Sequence, residues 1–177
     1  EGRTIAFGIQ ERQDLLRWAD YARERFGADV KILLYGVSMG GATVLMASEL
    51  PLPENVKGIV ADCPYVSPLE IILHVGKSNP LPTWLIRPFV ILGAKIFGGF
   101  DLTETDARKA VKHTKIPILI IHGEADRFVP PEMSDIKEIN PAMIERYTVP
   151  EAAHGISYLV DTPRYQKIVR EFLSKCL

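Results

Sequence analysis

The chain has 177 residues, 47% of them hydrophobic and 24% charged, with a formal net charge of −1. These are the proportions of an ordinary globular domain, and the length suffices for one domain with a real core. Lysine and arginine are scattered among aspartate and glutamate, so the basic block that a nucleic-acid partner needs is missing.

In chain order, residues 11–26 carry Leu15, Trp18, Ala19, Ala22 and Phe26 at helical spacing, with Gly27 as the stop. Residues 30–35 are a short, mostly apolar run ending in glycine, the pattern of a buried parallel strand. Residues 42–50 are small and apolar, a helix able to lie close on a sheet, ended by Pro51 and Pro53. Residues 56–61, 117–121 and 144–149 repeat the strand pattern, and residues 131–140 suggest a helix. In 163–176 Thr162 can cap, Pro163 suits the first turn, and Tyr165, Ile168, Val169, Phe172 and Leu173 form a stripe. Strands alternating with helices predict an α/β domain, a mostly parallel sheet with helices on both faces, over residues 1–177.

Residues 66–113 break the alternation. They are irregular, apolar and rich in proline and glycine, too long for a simple connection. Over the carboxyl ends of the strands they would act as a lid or acyl pocket, with Trp84, Phe89 and Phe97 as its lining; the plainer expectation is a helical excursion that completes the core. Arg87, Pro88, Gly93 and Lys95 interrupt the apolar stretch 84–100, so no membrane span is expected. Cys63 and Cys176 lie far apart without ligand or redox spacing. They read as free thiols of a reducing, cytoplasmic setting, with Cys63 as a small buried hydrophobe. Glu1-Gly2-Arg3 lacks the features of a secretory leader.

The chemistry centres on Gly36-Val37-Ser38-Met39-Gly40, a G-x-S-x-G run between an expected strand and an expected helix. Such a run turns a serine sharply off the strand and aims the next helix's free N–H groups at it, the N–H of Met39 serving as an oxyanion donor. Serine needs a base held by a carboxylate, in the order Ser, Asp or Glu, His. His154, in the loop between the last strand and last helix, is the best base. His74 and His113 fall in the irregular excursion, and His122 at a strand end suits a structural hydrogen bond. Asp126 after the third strand is the better acid, with Asp62 after the second and Glu124 as the other candidates.

These motifs resemble the α/β-hydrolase superfamily: the elbow, the His-Gly-x-x-Asp-x-x-Val-Pro segment at 122–130 and the Ala-x-His-Gly loop at 152–155. Bacterial esterase and lipase-like members related to monoacylglycerol lipases and serine aminopeptidases are the nearest likeness, to which the segments 61–65 and 14–18 add. The resemblance implies a Ser38–Asp126–His154 triad, a small-molecule ester as substrate, and neither metal nor organic cofactor. A peptidase or acyltransferase with the same triad, or a non-catalytic binding module, are the alternatives. Superfamily members carry about four more strands before the elbow, and this chain begins with Glu1 and reaches the elbow within forty residues. An amino-terminally truncated form is therefore the expectation, with the edge at 31–35 covered by a second copy in a homodimer, by a missing amino-terminal segment, or by residues 1–9.

Overall fold

The computed structural model describes residues 4–76 and 81–177. Four parallel strands form one sheet in the order β1 (Ile32–Val37), β2 (Val56–Asp62), β3 (Ile118–Gly123), β4 (Ile144–Val149). Alternation along β3 divides the core. Ile118 and Ile120 face a cluster with Leu34, Ile59, Leu45 and Val44, whereas Leu119 and Ile121 face one with Val60, Tyr165, Ile168 and Phe172. Helices α1 (Glu11–Phe26) and α2 (Met39–Ala47) cover the first face, and α7 (Thr162–Cys176) covers the second. Because both faces are covered, β3 is buried at all six positions.

The remaining helices are α3 (Pro68–Val75), α4 (Thr83–Gly93), which runs on into a π-helical turn at Ala94–Gly98, α5 (Ala107–Val111) and α6 (Ser157–Val160). The excursion at 66–113 is thus largely helical, although its residues 77–80 lie outside the described part. β1 hydrogen-bonds to β2 alone among the described residues and is an edge of the sheet, with Tyr35 and Val37 exposed. Residues 4–7, weakly strand-like in sequence, add no strand there. Instead Ala6 and Ile9 are buried with Leu69, Phe100 and Leu102.

Three local expectations are corrected. Residues 131–140 form two short 3₁₀ turns, Pro131–Ser134 and Lys137–Ile139, because Asp135 leaves helical geometry (ψ 76°) while Ser134 is drawn inward to a buried imidazole. In α1, Trp18 and Phe26 are exposed; Ala19 and Arg12 are the buried residues, and Leu15 packs partly buried against the core. In α7 the cap is Asp161, which accepts from the N–H of Arg164, rather than Thr162.

Arg12 ties the amino-terminal turn to two other segments. Its guanidinium donates to the Ile9 carbonyl, pairs with Glu49 after α2, and pairs with Glu104 at 2.6 Å; Glu49 also accepts from Thr105. Arg12 is buried, but its two acids are partly exposed, so the loss is smaller than for a fully buried pair. Arg12→Met is expected to lower stability by roughly 1–3 kcal/mol. In urea unfolding the midpoint should fall at an unchanged m-value.

Candidate active site

Ser38 stands at the junction of β1 and α2 with φ 54° and ψ −115°. This left-handed value is rare for a residue with a side chain and is held by what surrounds it. A Cβ on Gly36 would collide with the backbone of Gly40, so only glycine lets strand and helix approach so closely. Gly40 itself has open space where its Cβ would be; its backbone is what Gly36 needs near. The Ser38 N–H is paired with the Asp62 carbonyl at 2.8 Å, which anchors the turn to β2. Met39 opens α2, in whose first turn the N–H groups have no intrahelical partner.

The three chain-distant residues meet in one hydrogen-bonded row. The Ser38 Oγ lies 2.9 Å from His154 Nε2, and His154 Nδ1 lies 2.7 Å from Asp126 Oδ2. Asp126 is buried, and its other oxygen accepts from the N–H groups of Phe128 and Val129 at 3.0 and 2.9 Å. A carboxylate only accepts, so Nδ1 of His154 carries the proton and Nε2 is free to accept from the serine hydroxyl. The Phe128 ring stands 5.0 Å from the His154 ring, between centroids.

The other candidate residues lie elsewhere. Asp62 is buried at the end of β2, where one oxygen accepts from Tyr165 and the other has no partner among the described side chains. Tyr165 in turn meets the Tyr35 hydroxyl at 2.8 Å. Burial pushes the Asp62 carboxyl above its usual range, against the Tyr165 hydrogen bond. Glu124 accepts from Thr148 at an exposed position. His74 is in α3 and His113 follows α5. Cys63, fully buried with φ 41°, has its thiol pushed up to about 12, chiefly by burial. Its sulfur, Asp126 and His154 offer metal-type atoms within 4.8 Å of one another. His154 is already engaged at both ring nitrogens, by Asp126 and by Ser38, which is a poor fit for an ion.

Beside Ser38 lies a cavity of about 380 Å³, lined by Phe7, Met39, Tyr65, Ile71, Ile72, Val75 and Phe128. The expected lining was Trp84, Phe89 and Phe97. They line none of it and are 76%, 68% and 88% exposed, because the wall is made by Ile71, Ile72 and Val75 of α3. Apolar composition flagged this stretch, but only packing decides which helix lines the cavity.

A family model described as alpha/beta hydrolase fold matches residues 10–99, just over half of the chain. The chain belongs to the alpha/beta hydrolase fold family. An uncharacterized Bacillus subtilis protein, YqkD, is 24% identical over 176 residues, 97% of this chain and 57% of that protein. A Pyrococcus furiosus esterase superposes at TM-score 0.72 and 22% identity, covering 99% of this chain and 65% of its own. A Pyrococcus horikoshii acylaminoacyl peptidase does so at 0.68 and 20%, covering 99% of this chain and 29% of its own. The chain therefore spans a little over half the length of the curated relative, and the structural likenesses are of fold. No described helix is long and apolar enough to cross a membrane.

His122 supports this site from below. It is fully buried at the end of β3, with Nε2 2.9 Å from the Val129 carbonyl and 3.3 Å from Asp126 Oδ2, and Nδ1 2.7 Å from Ser134 Oγ. The carbonyl can only accept, so Nε2 bears the proton and Nδ1 accepts from Ser134. Burial holds the imidazole below its ordinary 6.5, in the neutral form. The unfolded chain therefore takes up this proton first, and stability drains as pH falls through the unfolded value; above it the group has no effect. Unfolding free energy measured at about pH 7.5 and about pH 5.5 should drop more in wild type than in His122→Gln. Comparing the two proteins at each pH cancels Asp62, whose raised carboxyl titrates with the opposite sign.

Proposed function

We propose that this chain carries the catalytic centre of a serine hydrolase that cleaves carboxylic esters of apolar acids. The row Ser38–His154–Asp126 is the observation that carries the reading. In this reading the Ser38 oxygen attacks the ester carbonyl as His154 Nε2 removes its proton. The tetrahedral intermediate then collapses to an acyl-serine, and His154 gives that proton to the departing alcohol. Water repeats the sequence on the acyl-serine and releases the acid. Asp126 holds the imidazole's tautomer and offsets its charge, and the N–H of Met39 at the amino end of α2 faces the developing oxyanion.

The cavity supports an ester of an apolar acid over a peptide. None of its lining residues is charged or carries an amide side chain to pair with a peptide. The esterase among the fold neighbours has the same class of activity by its description. The excursion's part in this is narrower than a lid: α3 supplies the cavity wall, through Ile71, Ile72 and Val75.

A fluorophosphonate probe should label Ser38, and Ser38→Ala should lose p-nitrophenyl ester hydrolysis by at least about 10³-fold with its melting temperature nearly unchanged. Residual activity above roughly a tenth of wild type would sink the reading. Asp126→Asn should lower kcat on the order of 10³–10⁴-fold. Asp62→Asn should cost far less, since Asp62 hydrogen-bonds Tyr165 and not His154. If Asp62→Asn proves the more damaging, the acid sits at the end of β2 instead.

A further inference from the structure

Phe7 is a bulky residue in the left-handed region, with φ 54°. Such a backbone persists only where its surroundings over-determine it, and outliers of this kind gather at functional sites. The surroundings here are specific. The Glu11 carboxylate accepts from the N–H of Ala6 at 2.8 Å and from that of Gly8 at 2.9 Å, one on each side of Phe7. The Tyr65 hydroxyl donates to the Phe7 carbonyl at 3.1 Å. Gly8, at φ 92°, is pressed on α2 so closely that a Cβ would collide with the Met46 side chain and sit 3.0 Å from Thr43 Oγ1. Ala6 and Ile9 on the flanks are buried. The clamped turn leaves the Phe7 side chain lining the same cavity as Ser38 and Met39, and as Ile71, Ile72 and Val75 of α3.

We infer that Phe7 sets the length of acyl chain the site accepts, and that its substrates are esters of medium-chain acids. The inference rests on the ester-hydrolase reading. A cavity of about 150 Å³ takes up a benzene molecule, so the 380 Å³ beside Ser38 holds an apolar chain on the order of ten carbons. With an almost wholly apolar lining, the site rewards each methylene that enters and offers nothing to a charged chain end. Growth beyond that volume meets the Phe7 ring, whose backbone is fixed by the Glu11 carboxylate on both sides and by the Tyr65 hydroxyl at its carbonyl.

The test is a series of p-nitrophenyl esters from acetate to palmitate on the 177-residue chain, read as kcat/KM for dodecanoate over butanoate. Each additional buried methylene is worth about fourfold. Phe7→Ala should raise the ratio by at least about tenfold, chiefly through KM, since the added contact is made in ground and transition states alike. Phe7→Leu should fall between it and wild type, and Phe7→Trp should lower the ratio. A general loss of packing would move both esters together and would not reverse sign between the smaller and larger side chains. If Phe7→Ala does not fold, Phe7→Leu and Phe7→Trp decide the matter by the same two shifts. Folded variants whose ratios stay within about twofold of wild type overturn the inference while leaving the hydrolase reading intact. A wild-type chain that hydrolyses no ester and takes no fluorophosphonate overturns both.

Discussion

The close approach of β1 to α2 is the constraint on which the site depends. A parallel strand that must turn at once into a helix over its own end forces one residue into strain, and Gly36 removes the side chain that would forbid it. The strain is not confined to Ser38. Among the described residues Phe7, Cys63 and Glu151 are the other non-glycine residues at positive φ, and each belongs to a segment near the site. Phe7 lines the cavity, Cys63 follows β2 beside Asp126, and Glu151 opens the loop that delivers His154. Backbones of this kind cost on the order of 1–3 kcal/mol each and need a rigid support. The support is the doubly covered sheet, whose β3 contributes four isoleucines and leucines that are fully buried.

Two carboxyls end neighbouring strands, and the difference in their surroundings gives them different parts. Asp126 has partners on both oxygens: two backbone N–H groups on one, and the His154 N–H on the other with His122 Nε2 3.3 Å away. Asp62 has one phenol on one oxygen and nothing among the described side chains on the other, and burial drives its carboxyl toward the proton-bearing form. Hydrogen bonds to the charged form favour ionisation, and desolvation opposes it. In the proposed reaction, the carboxyl suited to steady a positive imidazole is therefore the one supplied with N–H donors. That supply comes from the tight turn at Phe128 and Val129, which Asp126 itself shapes.

The strands, the elbow and the Ser–Asp–His order were legible because each is a local pattern: period, glycine spacing, position after a strand. His122 could be assigned to structure from its place at a strand end, and its two buried hydrogen bonds agree. What local pattern cannot carry is which apolar residue faces which neighbour. Trp84, Phe89 and Phe97 have the composition of a pocket lining but lie on α4 and the π-helical turn after it, neither of which has a buried residue. Ile71 and Ile72 look like ordinary helix core and yet face the serine. Trp18 sits beside Ala19 in the same stripe, but α1 packs on the core through Ala19 and Leu15 and leaves the indole against Tyr21 in the open. Helix 131–140 failed for a related reason, since the demand of buried His122 for Ser134 outweighs local helical preference.

Phe7 is the clearest case of a residue whose part is invisible until the chain is folded. In sequence it is one apolar residue before a helix, and nothing in Ala6-Phe7-Gly8 announces a positive φ at the middle position rather than at the glycine alone. Glu11 makes the difference, four residues on, by reaching back to the N–H groups on either side. A carboxylate in the first turn of a helix is favoured there in any case by the helix dipole. Here the same carboxylate fixes the turn before the helix, and the Tyr65 hydroxyl, arriving from the end of β2, fixes the carbonyl. One local preference and one tertiary contact together hold an aromatic ring at the wall of an apolar cavity beside Ser38. The geometry of the cavity thus descends from the polar groups around Phe7 as much as from the apolar ones that line it.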